Sequence, residues 1–313
     1  MVSSTWADLV LYRTVELGVE GFEVGGYHSE DACSGITVVF PTRNNVAGVA
    51  QIGGSPGTRE TDILRPLHRK NNSVDAVALC GRSVFGFRAV EGVVERLRVD
   101  GKGYRVGGVT VPIVPAAVIF DFKGDETDKH LSDQSWGYLA YEQRSTKLPV
   151  GGVWVGRGAT VGKILGRERA SPSGQGYAHY ERGGVQLGVL TVVNAVGDVY
   201  GRDGNIIAGA RGVGGSYTSG LEHAMREGLA HLSHFGNTTL GVVITNIRAD
   251  VCDMCALAQA ANTGYASVIR PFNTAFDGDT VFALTTNDVD GDFEVAKILT
   301  TQLAADSVIN IYT

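Results

Sequence analysis

GNTTLGVVIT, residues 236–245, passes from small, polar residues into a run of apolar and β-branched ones. This pattern predicts a loop that enters a buried strand. The strand would begin at Thr238, which places a hydroxyl next to the carbonyl group of Asn237. Such a hydroxyl can attack the carbonyl carbon. Hydrolysis of the resulting ester would leave Thr238 as a new N-terminus.

An N-terminal threonine combines two catalytic groups in one residue. A free α-amine has a pKa of about 7.7–8.0, so near neutral pH it can serve as a general base for the hydroxyl of its own residue. Two other Asn-Thr pairs occur, but Asn262-Thr263 falls in a predicted helix and Asn273-Thr274 in a predicted loop. We therefore expect cleavage between Asn237 and Thr238.

Strand and helix signals alternate along the rest of the chain. Helices are predicted after Asp133 and in the stretches at 83–101, 252–269 and 293–312; buried strands are predicted at 74–81 and 280–286, a central hairpin at 183–201, and a helical or mobile connection at 216–236. The alternation lacks simple βαβ periodicity and favours an α/β sandwich of two packed sheets between helices. No linker or repeat divides the chain, so residues 1–313 are expected to form one folded unit.

Seven stretches resemble, in the same order, the self-processing L-aminopeptidase/D-esterase family, which includes β-aminopeptidases and the nylon-oligomer hydrolases. They are GGSPGTRETDILRP (53–66), VALCGRSVFGFRAVEGV (77–93), VPIVPAAVIFDF (111–122), GRGATVGK (156–163), LTVVNAVGDVYG (190–201), GNTTLGVVITN (236–246) and RPFNTAFDGDTVFALTT (270–286). The resemblance implies a four-layer αββα sandwich of the N-terminal-nucleophile type. It also implies an α part (1–237) and a β part (238–313) that stay associated, and a homotetramer of such αβ units.

Composition limits the classes of partner. The chain has 313 residues, a net charge of −6 and no basic block, which argues against a nucleic-acid partner. No signal peptide and no apolar run of membrane-spanning length is present, so we expect a cytoplasmic protein without membrane contact. The sequence indicates no cofactor.

Two carboxylates bracket a glycine in Asp277-Gly278-Asp279, just before a predicted strand. Alternate residues of an extended chain point the same way, so both can face one site, although Asp and Gly also favour turns. The resemblance places this segment beside the nucleophile and implies hydrogen bonds to the hydroxyl and amine of Thr238. Repulsion between the two charges would raise the pKa of one carboxyl group.

Three further residues are candidates for the site. Lys163 ends GRGATVGK, where Arg157 and Ile164 exclude a phosphate-binding loop; the resemblance implies a place near the nucleophile. Asn194 interrupts an apolar strand, so its amide is either structural or a donor to the oxyanion. Phe120 stands where several relatives carry tyrosine, in a substrate-binding position, and it cannot donate a hydrogen bond.

Metal and serine-hydrolase patterns are missing from the sequence. Cys252 and Cys255 form a single C-x2-C pair, short of the four ligands of a zinc site, and we expect all four cysteines to be reduced. The seven histidines lack metal-ligand spacing. Ser83 lacks the G-x-S-x-G elbow of a Ser-His-Asp hydrolase. We expect no metal site.

The sequence therefore predicts an autoprocessing amide hydrolase with Thr238 as nucleophile. Its substrates would be 6-aminohexanoate oligomers and similar polyamides, or short peptides and amino-acid esters as for an L-aminopeptidase/D-esterase or a β-aminopeptidase. Two other classes stay open: an acyl transferase similar to ornithine acetyltransferases, and a non-catalytic binding protein.

Overall fold

The computed structural model describes residues 12–67, 73–122, 130–228 and 236–313. Its strands are β1 Arg13–Glu16, β2 Phe22–Ser29, β3 Ser34–Pro41, β4 Val46–Gln51, β5 Thr58–Arg59, β6 Val77–Cys80, β7 Tyr104–Val106, β8 Val109–Val111, β9 Ala116–Val118, β10 Lys147–Val150, β11 Thr160–Val161, β12 Ser171–Pro172, β13 Gln175–Arg182, β14 Val185–Asn194, β15 Asp198–Tyr200, β16 Ile206–Ala208, β17 Thr238–Ile247, β18 Ile269–Arg270 and β19 Thr280–Val289. Its α-helices are α1 Phe87–Val99, α2 Gln134–Glu142, α3 Gly220–Glu227, α4 Val251–Val268 and α5 Phe293–Ile309.

Two five-stranded sheets form the centre of the fold. One has the order β2-β3-β6-β9-β5 and the other the order β13-β14-β17-β19-β4. In the second sheet β17 is antiparallel to β14 and parallel to β19. The start of β17 therefore lies beside the end of β14 and the start of β19.

Both faces of β17 are buried, which explains its nearly continuous apolar sequence. Leu240, Val242 and Ile244 pack between the two sheets, and Val243 and Ile247 point to the other face, against α4 and α5. This alternation follows the period of two along a strand.

Helices cover the outer face of each sheet. α4 and α5 pack on the sheet that contains β17, and α1 and α2 pack on the other sheet. The predicted αββα order of layers is confirmed, as are the four predicted helices that form these layers. α4 begins with reciprocal hydrogen bonds of 3.0 Å between Asp250 and Asp253, which fix its first turn.

The predicted hairpin at 183–201 is wrong. β14 ends at Asn194, and β15 leaves the sheet to pair with β16 and β18. The hairpin partner of β14 is β13, through a turn at Gly183 and Gly184, whose φ angles of +61° and +82° suit glycine. In the connection at 216–236 a helix is confirmed at α3, and residues 229–235 lie outside the described ranges. None of the helices in the described ranges is long and apolar enough to cross a membrane.

Candidate active site

Thr238 is the first residue of β17 and is 5% exposed. On one side it pairs with Asn194 at the end of β14. On the other side Asn237 forms a parallel bridge with Asp277, in the segment that leads into β19. The sheet therefore brings three distant parts of the chain together at one end of β17.

The hydroxyl of Thr238 donates a hydrogen bond to the carbonyl oxygen of Asn237, the group that cleavage would attack. The same oxygen accepts a hydrogen bond of 3.0 Å from the backbone N–H of Gly278. The carbonyl oxygen of Asn237 thus accepts hydrogen bonds both from its potential nucleophile and from a backbone donor. This donor could not be predicted, because a backbone N–H leaves no signal in a sequence.

Glycine at position 278 allows this close approach. A Cβ atom there would lie 2.5 Å from the carbonyl oxygen of Ser55 and 3.1 Å from Oγ1 of Thr238. The first distance is too short for any side chain. A side chain at position 278 would therefore displace the backbone there from Ser55 and Thr238.

The two carboxylates of the Asp277-Gly278-Asp279 segment accept hydrogen bonds from Thr274 and Thr239 and not from Thr238. Asp279 Oδ1 accepts a hydrogen bond of 2.6 Å from the backbone N–H of Thr239. Asp277 Oδ2 accepts bonds of 2.9 and 2.5 Å from the N–H and hydroxyl of Thr274. The structure therefore does not show the expected hydrogen bonds from Thr238 to these carboxylates, because the Thr238 hydroxyl donates to the carbonyl oxygen of Asn237.

Burial and mutual repulsion favour protonation of this pair. Burial raises the pKa of Asp277, while the bonds from Thr274 lower it. Burial raises the pKa of Asp279 well above its usual value, and the charge of Asp277 raises it further. This agrees with the repulsion expected from the sequence, and the pair can hold a proton at pH values where exposed carboxyl groups have lost theirs.

Lys163 and Asn194 form a connected pair on the other side of Thr238. Lys163 Nζ lies 2.7 Å from Asn194 Oδ1 and 2.9 Å from the backbone oxygen of Asn194. Burial lowers the pKa of Lys163 well below its usual value, and the nearby charge of Arg167 adds to this effect. Lys163 therefore loses its proton more readily than an exposed lysine.

Lys163 and Asn194 both contact the carbonyl oxygen of Gly236, the residue before Asn237. Asn194 Nδ2 donates to the carbonyl oxygens of Gly236 at 3.1 Å and Phe120 at 3.0 Å, and Lys163 Nζ lies 3.4 Å from the oxygen of Gly236. In the intact chain the amide of Asn194 thus holds Gly236, whereas Gly278 holds Asn237. Asn194 becomes available for another acceptor once Gly236 moves away.

Phe120 and Arg167 form a wall beside Gly236. The guanidinium carbon of Arg167 lies 4.9 Å from the centre of the Phe120 ring. A Cβ atom on Gly236 would lie 2.7 Å from Phe120 Cδ1 and 2.7 Å from Arg167 Nη2. Arg167 was not identified from the sequence, because its distance from the other motifs gives no indication of this contact.

All four cysteines and four of the seven histidines lie in the described ranges. Within 12–67, 73–122, 130–228 and 236–313, no group of three or more His, Cys, Asp and Glu side chains could hold a metal ion. All four cysteines are free thiols, and Cys80 is buried. His68, His231 and His234 lie outside the described residues.

Comparisons with known proteins agree with this fold and arrangement. The model of peptidase family S58 matches residues 17–311. An uncharacterized aminopeptidase of Mycobacterium leprae is 36% identical over 301 residues, which cover 87% of this chain and 78% of the relative. A 6-aminohexanoate-oligomer endohydrolase of Kocuria sp. is 30% identical over 283 residues, which cover 89% of this chain and 76% of the relative.

Solved structures show the same fold at low sequence identity. A β-aminopeptidase of Burkholderia sp. aligns with a TM-score of 0.68 at 17% identity, over 97% of this chain and 88% of the other. The L-aminopeptidase D-Ala-esterase/amidase of Ochrobactrum anthropi, described as a variant of the Ntn hydrolase fold, aligns with a TM-score of 0.67 at 16% identity, over 95% and 85%. The chain therefore belongs to peptidase family S58 and is an amide-bond hydrolase with an N-terminal-nucleophile type of fold.

Proposed function

We propose that the chain cleaves itself between Asn237 and Thr238 and then hydrolyses amide bonds with Thr238 as its N-terminal nucleophile. One observation carries the proposal: the Thr238 hydroxyl donates a hydrogen bond to the carbonyl oxygen of Asn237, and the backbone N–H of Gly278 donates another to the same oxygen. A nucleophile and an oxyanion donor on one carbonyl group are what acyl transfer requires.

Self-cleavage would proceed through an ester. Oγ1 of Thr238 attacks the carbonyl carbon of Asn237, and the hydroxyl proton passes to the nitrogen of Thr238 as the C–N bond breaks. The N–H of Gly278 stabilises the negative charge that develops on the carbonyl oxygen. Water then hydrolyses the ester, which leaves a carboxylate on Asn237 and a free amine and hydroxyl on Thr238.

Turnover would use the groups that cleavage releases. The new amine of Thr238 accepts the hydroxyl proton as Oγ1 attacks a substrate amide, and later passes it to the leaving amine. Asp277 and Asp279 bind the amine and hydroxyl. Once Gly236 has left, the amide of Asn194 can donate to the substrate oxyanion, and Lys163 orients Asn194 through the bond of 2.7 Å to Oδ1.

Two classes of amide substrate are supported by the relatives. The similarity to 6-aminohexanoate-oligomer endohydrolases favours linear polyamides, and the similarity to aminopeptidases favours short peptides. The products separate them. Internal cuts in a 6-aminohexanoate oligomer indicate the first class, whereas release of single residues from a peptide end indicates the second.

The decisive experiment is the mass and N-terminal sequence of the purified, active protein. We expect two fragments, the smaller beginning at Thr238, and an intact, inactive chain for Thr238→Ala. Thr238→Ser should still cleave, since serine keeps the hydroxyl. Thr239→Val, which removes the neighbouring hydroxyl and keeps the N–H bound by Asp279, is the matched control and should cleave. Active wild-type protein that consists only of the intact chain would refute the proposal.

We also propose that the cleaved protein assembles into a homotetramer of αβ units, as the family resemblance implies. Light scattering coupled to size-exclusion chromatography measures the mass directly. A monomeric αβ unit over the working concentration range would contradict this part.

A further inference from the structure

We infer that the acyl side of the site accepts only an unbranched chain at the place of the Gly236 α-carbon, so that glycyl and polymethylene acyl groups are substrates and side-chain-bearing residues are excluded there. This inference rests on the proposed function. The ring of Phe120 would select unbranched acyl groups over those that carry a side chain.

Self-cleavage and turnover would pass through equivalent ester intermediates on Thr238. Self-cleavage passes through an ester between Thr238 Oγ1 and the carbonyl carbon of Asn237. Turnover passes through an ester of the same oxygen with the acyl group of the substrate. Because both esters hold an acyl chain on one oxygen, residues 236–237 of the intact chain show the path that a substrate acyl chain takes.

That path has no room for a side chain at Gly236. A Cβ atom there would lie 2.7 Å from Cδ1 and 2.9 Å from Cγ of Phe120, and 2.7 Å from Arg167 Nη2. Arginine can move its flexible end, but these ring atoms are close to the backbone of Phe120 and cannot swing away as a long side chain does. The φ angle of Gly236, +127°, is also one that L-residues rarely adopt.

The chemistry of the excluded position defines the acyl group. The α-carbon of Gly236 is the fourth atom counted from the scissile carbonyl carbon, and in a 6-aminohexanoyl group that atom is a methylene. A glycyl residue meets the same condition. Alanine or any larger L-residue would press its side chain against Phe120.

The test uses two peptide anilides that differ by one methyl group. N-acetyl-Gly-Asn-p-nitroanilide and N-acetyl-Ala-Asn-p-nitroanilide place hydrogen or methyl at the position of interest. We expect kcat/KM to be at least about tenfold higher for the glycyl compound, since overpacking at a rigid wall is costly. In Phe120→Ala the preference should fall to about threefold or less. It should persist in Phe122→Ala, the matched control, whose ring lies 5.1 Å from that of Phe120.

Each outcome decides the inference. Equal rates for the two anilides in the wild type, or a preference that survives Phe120→Ala in full, would overturn it. So would hydrolysis of single-residue anilides with neither acetylated dipeptide cleaved, because the acyl chain would then not follow residues 236–237. If cleaved protein hydrolyses none of the acetylated dipeptide anilides, the single-residue anilides and 6-aminohexanoyl-p-nitroanilide, the proposed function itself fails, and the inference fails with it.

Discussion

Gly278→Ala should slow self-cleavage about a hundredfold while the chain stays folded. Gly278 does not have a positive φ angle, so its backbone can accept alanine. The new Cβ atom would lie 2.5 Å from the oxygen of Ser55, however, and 3.1 Å from Oγ1 of Thr238. Restoring an ordinary carbon–oxygen contact requires a shift of roughly 1 Å.

A shift of that size acts on the bond that the proposal depends on. The N–H of Gly278 now lies 3.0 Å from the carbonyl oxygen of Asn237. Moving it by roughly 1 Å takes it beyond the range of about 2.7–3.2 Å in which such bonds are strong. Loss of one oxyanion donor typically costs roughly 100- to 1000-fold in rate, about 2.7–4 kcal/mol.

The rate can be followed directly by cell-free synthesis, with the cleaved fraction measured by mass spectrometry over time. Gly264→Ala is the matched control. Its Cβ atom would lie 2.2 Å from the oxygen of Thr301, where α4 meets α5, so it should lower the free energy of unfolding and leave the cleavage rate near that of the wild type. Folded Gly278→Ala that cleaves as fast as the wild type would refute the role of this N–H.

Three further predictions concern the charged groups of the site. In uncut Thr238→Ala protein, adding Asp279→Asn should raise the free energy of unfolding more at about pH 7 than at about pH 4. The folded chain holds the Asp279 proton more tightly than the unfolded chain, so the protein with Asp279 becomes less stable as pH rises through this window. Urea unfolding at the two pH values measures the difference. Thr274→Val removes the hydroxyl bond of 2.5 Å that lowers the pKa of Asp277, so the acidic limb of the kcat/KM profile should move to higher pH. Lys163→Met removes the lysine donor of both Asn194 oxygens but leaves the Thr160 N–H bound to Oδ1, so it should lower the free energy of unfolding by about 0.5–1.5 kcal/mol in thermal unfolding.

Exposed residues of the same types provide the controls. Asp290→Asn and Lys297→Met remove members of exposed ion pairs, and Thr263→Val removes an exposed hydroxyl. Asp290→Asn should change the free energy of unfolding little at either pH, and Lys297→Met should change it little in thermal unfolding. Thr263→Val should leave the kcat/KM profile where it is. A pH profile of Thr274→Val that coincides with the wild type would show that Asp277 does not act in turnover. An Asp279→Asn effect that is independent of pH would show that the carboxyl group titrates alike in both states.

The layers and the strands at the centre could be predicted because their sequences obey local rules. β17 is apolar on both faces, as a strand buried between a sheet and helices requires, and α4 has a capping residue at Asp250 before a long apolar helix. The error at 183–201 arose where local rules give no answer. A glycine turn after Asn194 is compatible with a hairpin, but the choice of β16 and β18 as partners depends on distant parts of the chain.

The residue types of the site could be predicted from the sequence, but their hydrogen bonds could not. Asn194 and Lys163 were expected beside the nucleophile, and the structure brings both to Gly236. That they hold Gly236 rather than the scissile carbonyl depends on spacing between strands. A pattern along one strand contains no information about that spacing. The same limit hid Thr274, which binds Asp277 across a turn, and the backbone of Gly278.

The position of the proposed cleavage site at the start of β17 would allow one cut to leave a working site. Residues 238–245 all pair with β14, and residues 240–245 also pair with β19 on the other side. β14 would belong to the larger fragment and β19 to the smaller, so breaking the one peptide bond would remove none of this pairing. Asn237, by contrast, is held in the sheet only by its bridge to Asp277, and the chain before it is free of strand pairing in the described residues back to Tyr217. The proposed cut would therefore release the side that must make way for a substrate and keep in place the side that carries Thr238.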